Sequence, residues 1–182
     1  MYRFLTLFCF VLMPFLFIGC STAQKQYALD SGAIAVEASV LKNQYTTVEK
    51  LLRNTQAENN MFTEQEWRTL NNVDSTIDML ILKYNAMTHF KDTTVSLEDV
   101  KFMYGLATDG YTQGREVIYA HWDELQPSTQ LMLNAFDTQA VQTSERIKTL
   151  LSNPDNKNIN ETLTLIAGVL GSAVKMLSLV AL

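Results

Sequence analysis

The chain has 182 residues, a net charge of −5, and charged side chains at only 18% of positions. An acidic chain without basic clusters lacks the electrostatic footprint of a nucleic-acid binder. Hydrophobic residues at 47% supply the material for one packed core, and a chain of this length is expected to fold as one domain.

The first segment is an apolar run from Phe4 to Ile18, preceded by Arg3 and interrupted by Thr6 and Pro14. An apolar stretch of about 7–15 residues has the length of a secretory signal, whereas a membrane span needs about 20. The run closes on Phe17-Ile18-Gly19-Cys20. This resembles the lipobox of bacterial lipoproteins, in which small residues precede a cysteine that is acylated and becomes the mature N-terminus. Phe17 stands where that family usually carries leucine. The resemblance implies a signal peptide over 1–19 and lipidation of Cys20 by fatty acyl chains of the palmitate kind. Ser21 occupies the position where aspartate would favour the inner membrane, so the implied site is the periplasmic face of an outer membrane. Several acyl chains hold a protein firmly where one binds only marginally. Cys9 lies within the leader, which leaves Cys20 as the one cysteine of the mature chain and no disulfide to stabilise it.

Residues 20–26 read as a polar tether. From Tyr27, apolar residues recur at Ile34, Leu41 and Val48, with a second row at Ala38, Tyr45 and Leu52, which is helical spacing. This helix is expected to fade by Asn54. Thr63 and Glu66 then stand at capping-box spacing, with Phe62 and Trp67 at the flanking staple positions. Leu70, Val73, Ile77, Leu80, Tyr84 and Met87 continue a regular stripe. Ser96 with Asp99, flanked by Val95 and Val100, repeats the device for a third helix that is expected to run to Leu125 with a kink or break near Asp109-Gly110. Pro127 resets the chain into a fourth, less regular helix through Leu131, Phe136, Ala140, Ile147 and Leu151.

No alternation of the kind strands show competes with this pattern. The expectation is an all-α antiparallel bundle of four main helices over 27–153, a loop over 154–161 and an apolar C-terminal helix over 162–182. The asparagines before Glu161 are read as capping that last helix. The helix is just long enough to span a bilayer, yet Lys175 near its middle would cost about 2.5–3.5 kcal/mol there. Thr164, Gly168, Gly171, Lys175 and Ser178 form one stripe of mostly small residues opposite Leu163, Ile166, Leu170, Leu177 and Val180. Gly168, Gly171 and Lys175 are therefore candidates for close helix packing or membrane contact, with docking on the bundle and membrane insertion both open.

Candidate chemistry is sparse. His89 and His121 are the imidazoles, and neither sits in a zinc-binding spacing; nucleophile elbows and phosphate-binding glycine loops are absent. No metal, cofactor or catalytic residue is expected. Trp67, Tyr84, Tyr104, Tyr111 and Trp122 read as core packing, and Glu64/Glu66 and Asp123/Glu124 as solvated or helix-starting acids. The expected role is a structural or interaction protein held at a membrane by its lipidated N-terminus and presenting a surface to a protein partner. The alternative rests on layout. A lipobox at one end and a hydrophobic segment at the other resemble unimolecular spanins, phage lysis proteins that link outer and inner membranes.

Overall fold

A computed structural model describes residues 24–89 and 93–180. The leader, Cys20 and most of the tether lie outside the described residues. The described chain runs through β1 (Gln26–Ala28), α1 (Ser31–Asn59), α2 (Glu64–Thr88), β2 (Thr94–Ser96), α3 (Leu97–Ala120), a 3-10 turn (Trp122–Glu124), α4 (Pro127–Ser152) and α5 (Asn156–Val180). It is an all-α helical bundle with one small two-stranded sheet.

Side-chain caps set most of the helix starts. Asp30 accepts a hydrogen bond from the Ala33 amide at 3.1 Å, so α1 starts at Ser31 and not at Tyr27. It runs past Asn54 to Asn59, where Asn60 adopts the left-handed conformation at φ 46°. Gln56 fastens the following turn by bonding both the amide and the carbonyl of Phe62, at 2.8 and 3.1 Å. The capping box of α2 forms as expected: Thr63 N–H donates to Glu66 at 2.7 Å, and Glu66 N–H to the Thr63 hydroxyl at 3.3 Å. Phe62 and Trp67 stack at 6.3 Å across that cap. Ser96 caps α3 by accepting from Asp99 N–H at 3.1 Å.

Four further expectations are corrected. Tyr27 belongs to β1, which pairs antiparallel with β2 in the register Tyr27 opposite Val95. Each strand is three residues long, too short for alternation to show in a sequence. No break occurs at Asp109-Gly110, since α3 is continuous from Leu97 to Ala120. Gly110 is instead where α5 comes close: a Cβ there would stand 3.0 Å from Leu170 Cδ1 and 3.1 Å from Thr76 Cγ2. The stripe expected to reach Leu125 ends at Ala120, and Trp122–Glu124 turns the chain before Pro127. Finally, the loop at 154–161 is mostly helix. Asp155 caps α5 by accepting from Asn158 N–H at 2.7 Å, and the polar residues after it form a solvent-facing first turn.

The C-terminal helix is the hub. α5 packs directly against α1, α3 and α4, while α2 packs on α1 and α3. Tyr84 carries α2 to the hub as well: it is fully buried, and its hydroxyl donates to the Leu163 carbonyl at 2.6 Å. Ile159, Leu163, Ile166, Val169, Leu170 and Met176 are each 0% exposed. Full burial of side chains of this size contributes roughly 1.5–3 kcal/mol apiece. α4 is the outlying helix, with its fully buried row reduced to Leu133, Ala140 and Ile147.

Two measurements probe this packing. A Cβ at Gly105 would have nothing within 4 Å, so Gly105→Ala should raise stability by about 0.5–1 kcal/mol through helix propensity. Gly110→Ala should fall short of that gain, because Leu170 and Thr76 must give way; equal gains in urea melts would mean a looser α3–α5 contact. A chain ending at residue 155 should lose its cooperative thermal transition. A melt like that of the full chain would show instead that the first four helices fold without the hub.

Candidate functional site

Of the residues singled out from sequence, Cys20 lies outside the described residues. Gly168, Gly171 and Lys175 line a cleft of about 140 Å³ with Gln44 of α1 and Gln139 of α4; Gly171 is buried, while Gly168 and Lys175 are exposed. A Cβ at Gly168 would touch nothing within 4 Å, and one at Gly171 would meet Gln44 Oε1 at 3.7 Å. Lys175 is exposed, with its ammonium 5.9 Å from the Phe136 ring centroid.

The α3–α4 boundary holds a polar cluster that sequence reasoning missed. α5 holds these two helices apart, and long side chains bridge the gap. The Tyr111 hydroxyl donates to Asp137, and Arg115 grips the same carboxylate in a fork, Nε to Oδ1 at 2.7 Å and a terminal nitrogen to Oδ2 at 3.3 Å. The Arg115 guanidinium also covers the Tyr119 ring at 4.2 Å, and Tyr119 stacks on Trp122 at 4.9 Å. Tyr119 OH reaches Asn134 at 3.3 Å, and Gln130 Nε2 donates to the Trp122 carbonyl at 2.8 Å. Burial opposes ionisation of Asp137, but the hydrogen bonds from Arg115 and Tyr111 outweigh it and hold the carboxyl below its usual range. Tyr111 is pushed up, first by burial and then by its bond to that carboxylate. Of the aromatics read as core, Tyr84 alone is fully buried, while Trp67, Tyr104, Tyr111 and Trp122 are half-buried.

His121 sits at the junction of α3 with the 3-10 turn, about nine-tenths buried, its ring edge-on to Phe62 at 5.6 Å. Nδ1 lies 3.2 Å from Glu124 Oε2, and Nε2 lies 3.3 Å from Glu66 Oε1 without the alignment a hydrogen bond needs. Carboxylates thus face both ring nitrogens, and no hydroxyl or thiol nucleophile does among the described residues. The arrangement ties the α2 cap to the α3–α4 turn. Burial pushes the Glu66 carboxyl up, but the Thr63 hydroxyl and amide and the nearby His121 outweigh it and leave it lowered. Glu66 also borders a cleft of about 280 Å³ with Glu116, Thr63, Gln65, Thr69 and Val117. Among the described residues no group of three His, Cys, Asp or Glu side chains is placed to hold a metal ion.

The α1–α2 seam carries the third cluster. Tyr45 OH donates to Asp74 at 2.6 Å, and Arg53 joins Glu49 to Asp74 at 2.8 and 3.7 Å. One turn beyond Asp74, Asp78 borders an open cleft of about 310 Å³ together with Lys42, Thr46, Leu82 and Asn85.

Asp137 provides a test of the α3–α4 cluster. Its folded pKa is depressed, so its contribution is complete above the unfolded value of about 3.9 and is lost as the pH falls through the folded one. Asp137→Asn should therefore cost about 1–2 kcal/mol near neutral pH and flatten the acid limb of the stability profile. An acid limb as steep as that of wild type in denaturant melts would show that Asp137 is not held by Arg115 and Tyr111. Comparison with protein-family models, with curated proteins and with solved structures finds no match to this chain.

Proposed function

We propose that the chain is a lipid-anchored envelope protein, held through Cys20 at the periplasmic face of an outer membrane, that presents its helical bundle to a protein partner. The observation that carries this reading is the position of α5. It is long and apolar enough to cross a membrane by length and composition, yet its apolar faces are spent on α1, α3 and α4. Inserting it into a bilayer would strip the bundle of its hub, which counts against a two-membrane bridge and leaves the anchoring to the lipobox.

The start of the described chain supports attachment at one end of the bundle. Asn156 and Asn160 of α5 do not cap their helix. They hold the segment next to the tether: Ala28 N–H donates to Asn156 at 3.3 Å, Asp30 N–H to Asn160 at 2.7 Å, and Asn160 returns a bond to the Ala28 carbonyl at 2.9 Å. A tether over 20–26 joined there transmits tension into the hub helix, where the bundle is best able to resist it. No cofactor, metal or nucleic acid enters this reading.

Metabolic labelling with a fatty acid should mark wild type and not Cys20→Ser, and the variant should leave the membrane fraction. Equal labelling of both sinks the anchor. Lys175→Leu should leave the membrane distribution unchanged, because that side chain lies at the edge of a bundle. A shift of the Lys175→Leu protein into inner-membrane fractions would restore the bridge.

A further inference from the structure

The bundle has two unlike ends, and the tether joins it at one of them. This near end gathers β1, β2, the starts of α1, α3 and α5 and the end of α2. β1 is fixed there from two sides. Leu29 N–H donates to the Thr93 carbonyl at 3.1 Å, and Asn156 and Asn160 of α5 hold Ala28 and Asp30. The far end holds the turn at Asn60 between α1 and α2 and the 3-10 turn between α3 and α4. The two turns meet where the Phe62 and His121 ring centroids lie 5.6 Å apart. α5 has 25 residues, so the ends stand roughly 38 Å apart.

Fully extended, the chain from Cys20 to Gln26 reaches about 20 Å, roughly half that distance. Acylation of Cys20 would therefore hold the near end close to the bilayer and leave the far end free to stand away or to lie down. Charge distinguishes the two. At the far end Glu58, Glu64, Glu116, Asp123 and Glu124 are exposed, and Arg68 is engaged by Glu64. At the near end exposed Lys25 and Lys157 accompany Glu98, while Asp30 and Asp155 accept from the Ala33 and Asn158 amides at the starts of α1 and α5. A bundle lying flat would bring the far carboxylates within a Debye length, about 8–10 Å, of anionic headgroups. Standing on the near end avoids that repulsion and sets two lysines against lipid phosphate.

We propose that the bundle stands end-on, its β1–α5 end resting on the headgroups of the leaflet that holds Cys20 and its acidic end projecting into the aqueous compartment. The proposal rests on the lipid anchor above and adds to it which surface meets lipid. The same orientation leaves the α1–α2 turn, the 3-10 turn and the His121 junction between them as the surfaces farthest from the membrane.

The test uses the acylated full chain in vesicles of phosphatidylethanolamine and phosphatidylglycerol that contain a lipid with a nitroxide on its headgroup. Because Cys9 leaves with the leader and Cys20 is acylated, an introduced cysteine is the single free thiol and can carry a bimane label. Asn153→Cys places the label in the exposed turn at the near end; Asn54→Cys, Gln65→Cys, Ala120→Cys and Ser128→Cys place it at exposed positions toward the far end, one on each of the four outer helices. The nitroxide, which quenches only at short range, should dim the label at Asn153→Cys severalfold more than at any of the other four. Quenching at one far position as strong as at Asn153→Cys would overturn the proposal in favour of a bundle lying on that side. Absence of quenching at Asn153→Cys would overturn it as well, since the near end would then be held off the lipid. Flotation of wild type with the vesicles separates the two readings. Flotation with far-end quenching removes the orientation alone, whereas loss of flotation and of fatty-acid labelling removes the anchor and the orientation with it.

Discussion

The burial of α5 is the constraint from which the rest of the architecture follows. A helix apolar over most of its surface is best stabilised where other helices cover it, and here it takes the centre with α1, α3 and α4 packed on it. Gly110 of α3 accepts the Leu170 side chain within a distance a larger residue would not permit. Tyr84 of α2 spends its hydroxyl on a mid-helix carbonyl of α5, a bond made where no water competes. Even the short β1 strand is tied down by α5, through Asn156 and Asn160. Each of these contacts makes sense only with the last helix in the middle.

A central helix creates a second problem, because it separates the helices on either side of it. α3 and α4 run antiparallel over α5 and touch each other little through backbone proximity. The residues that join them are the ones long enough to reach. Tyr104 bonds toward the Ser144 carbonyl at 3.5 Å, Tyr111 and Arg115 meet Asp137, and Tyr119 meets Asn134, so the partner number falls as the tyrosine number rises. That opposing register is what two antiparallel helices require. Tyrosine suits the task because its ring packs on the hub while its hydroxyl finds an acceptor beyond it. The half-burial of these aromatics is the result of a bridging role and not of a poorly filled core.

Much of the fold was legible because it is written locally. The Thr63/Glu66 box, the Ser96 cap and Pro127 are signals complete within four residues, and each marks a helix start where expected. The misreadings arise where the deciding partner is distant. Gly110 reads as a helix weakness until Leu170 is placed against it. Asn156 and Asn160 read as loop and cap residues because their partners lie about 130 positions away, in Ala28 and Asp30. An apolar run with one lysine reads equally as span or core, since either environment buries it on all sides. The polar clusters were invisible for the same reason. Tyr111 and Asp137 are separated by 26 residues, and Tyr45 and Asp74 by 29, spacings set by turn geometry and not by any helical period.

The same architecture explains how the α1–α2 seam can hold an unpaired carboxylate. Like charges at Glu49, Asp74 and Asp78 act near the surface, where solvent screens them and their mutual cost is a fraction of what one buried leucine of the hub contributes. Of the two seam helices, α2 packs on α1 and α3, and Asp78 is exposed. Asp78 can therefore change its ionic surroundings while Ile77 and Leu80, its neighbours on the opposite face of α2, stay fully buried. The charged residues of the seam therefore sit at the surface while the hub carries the packing.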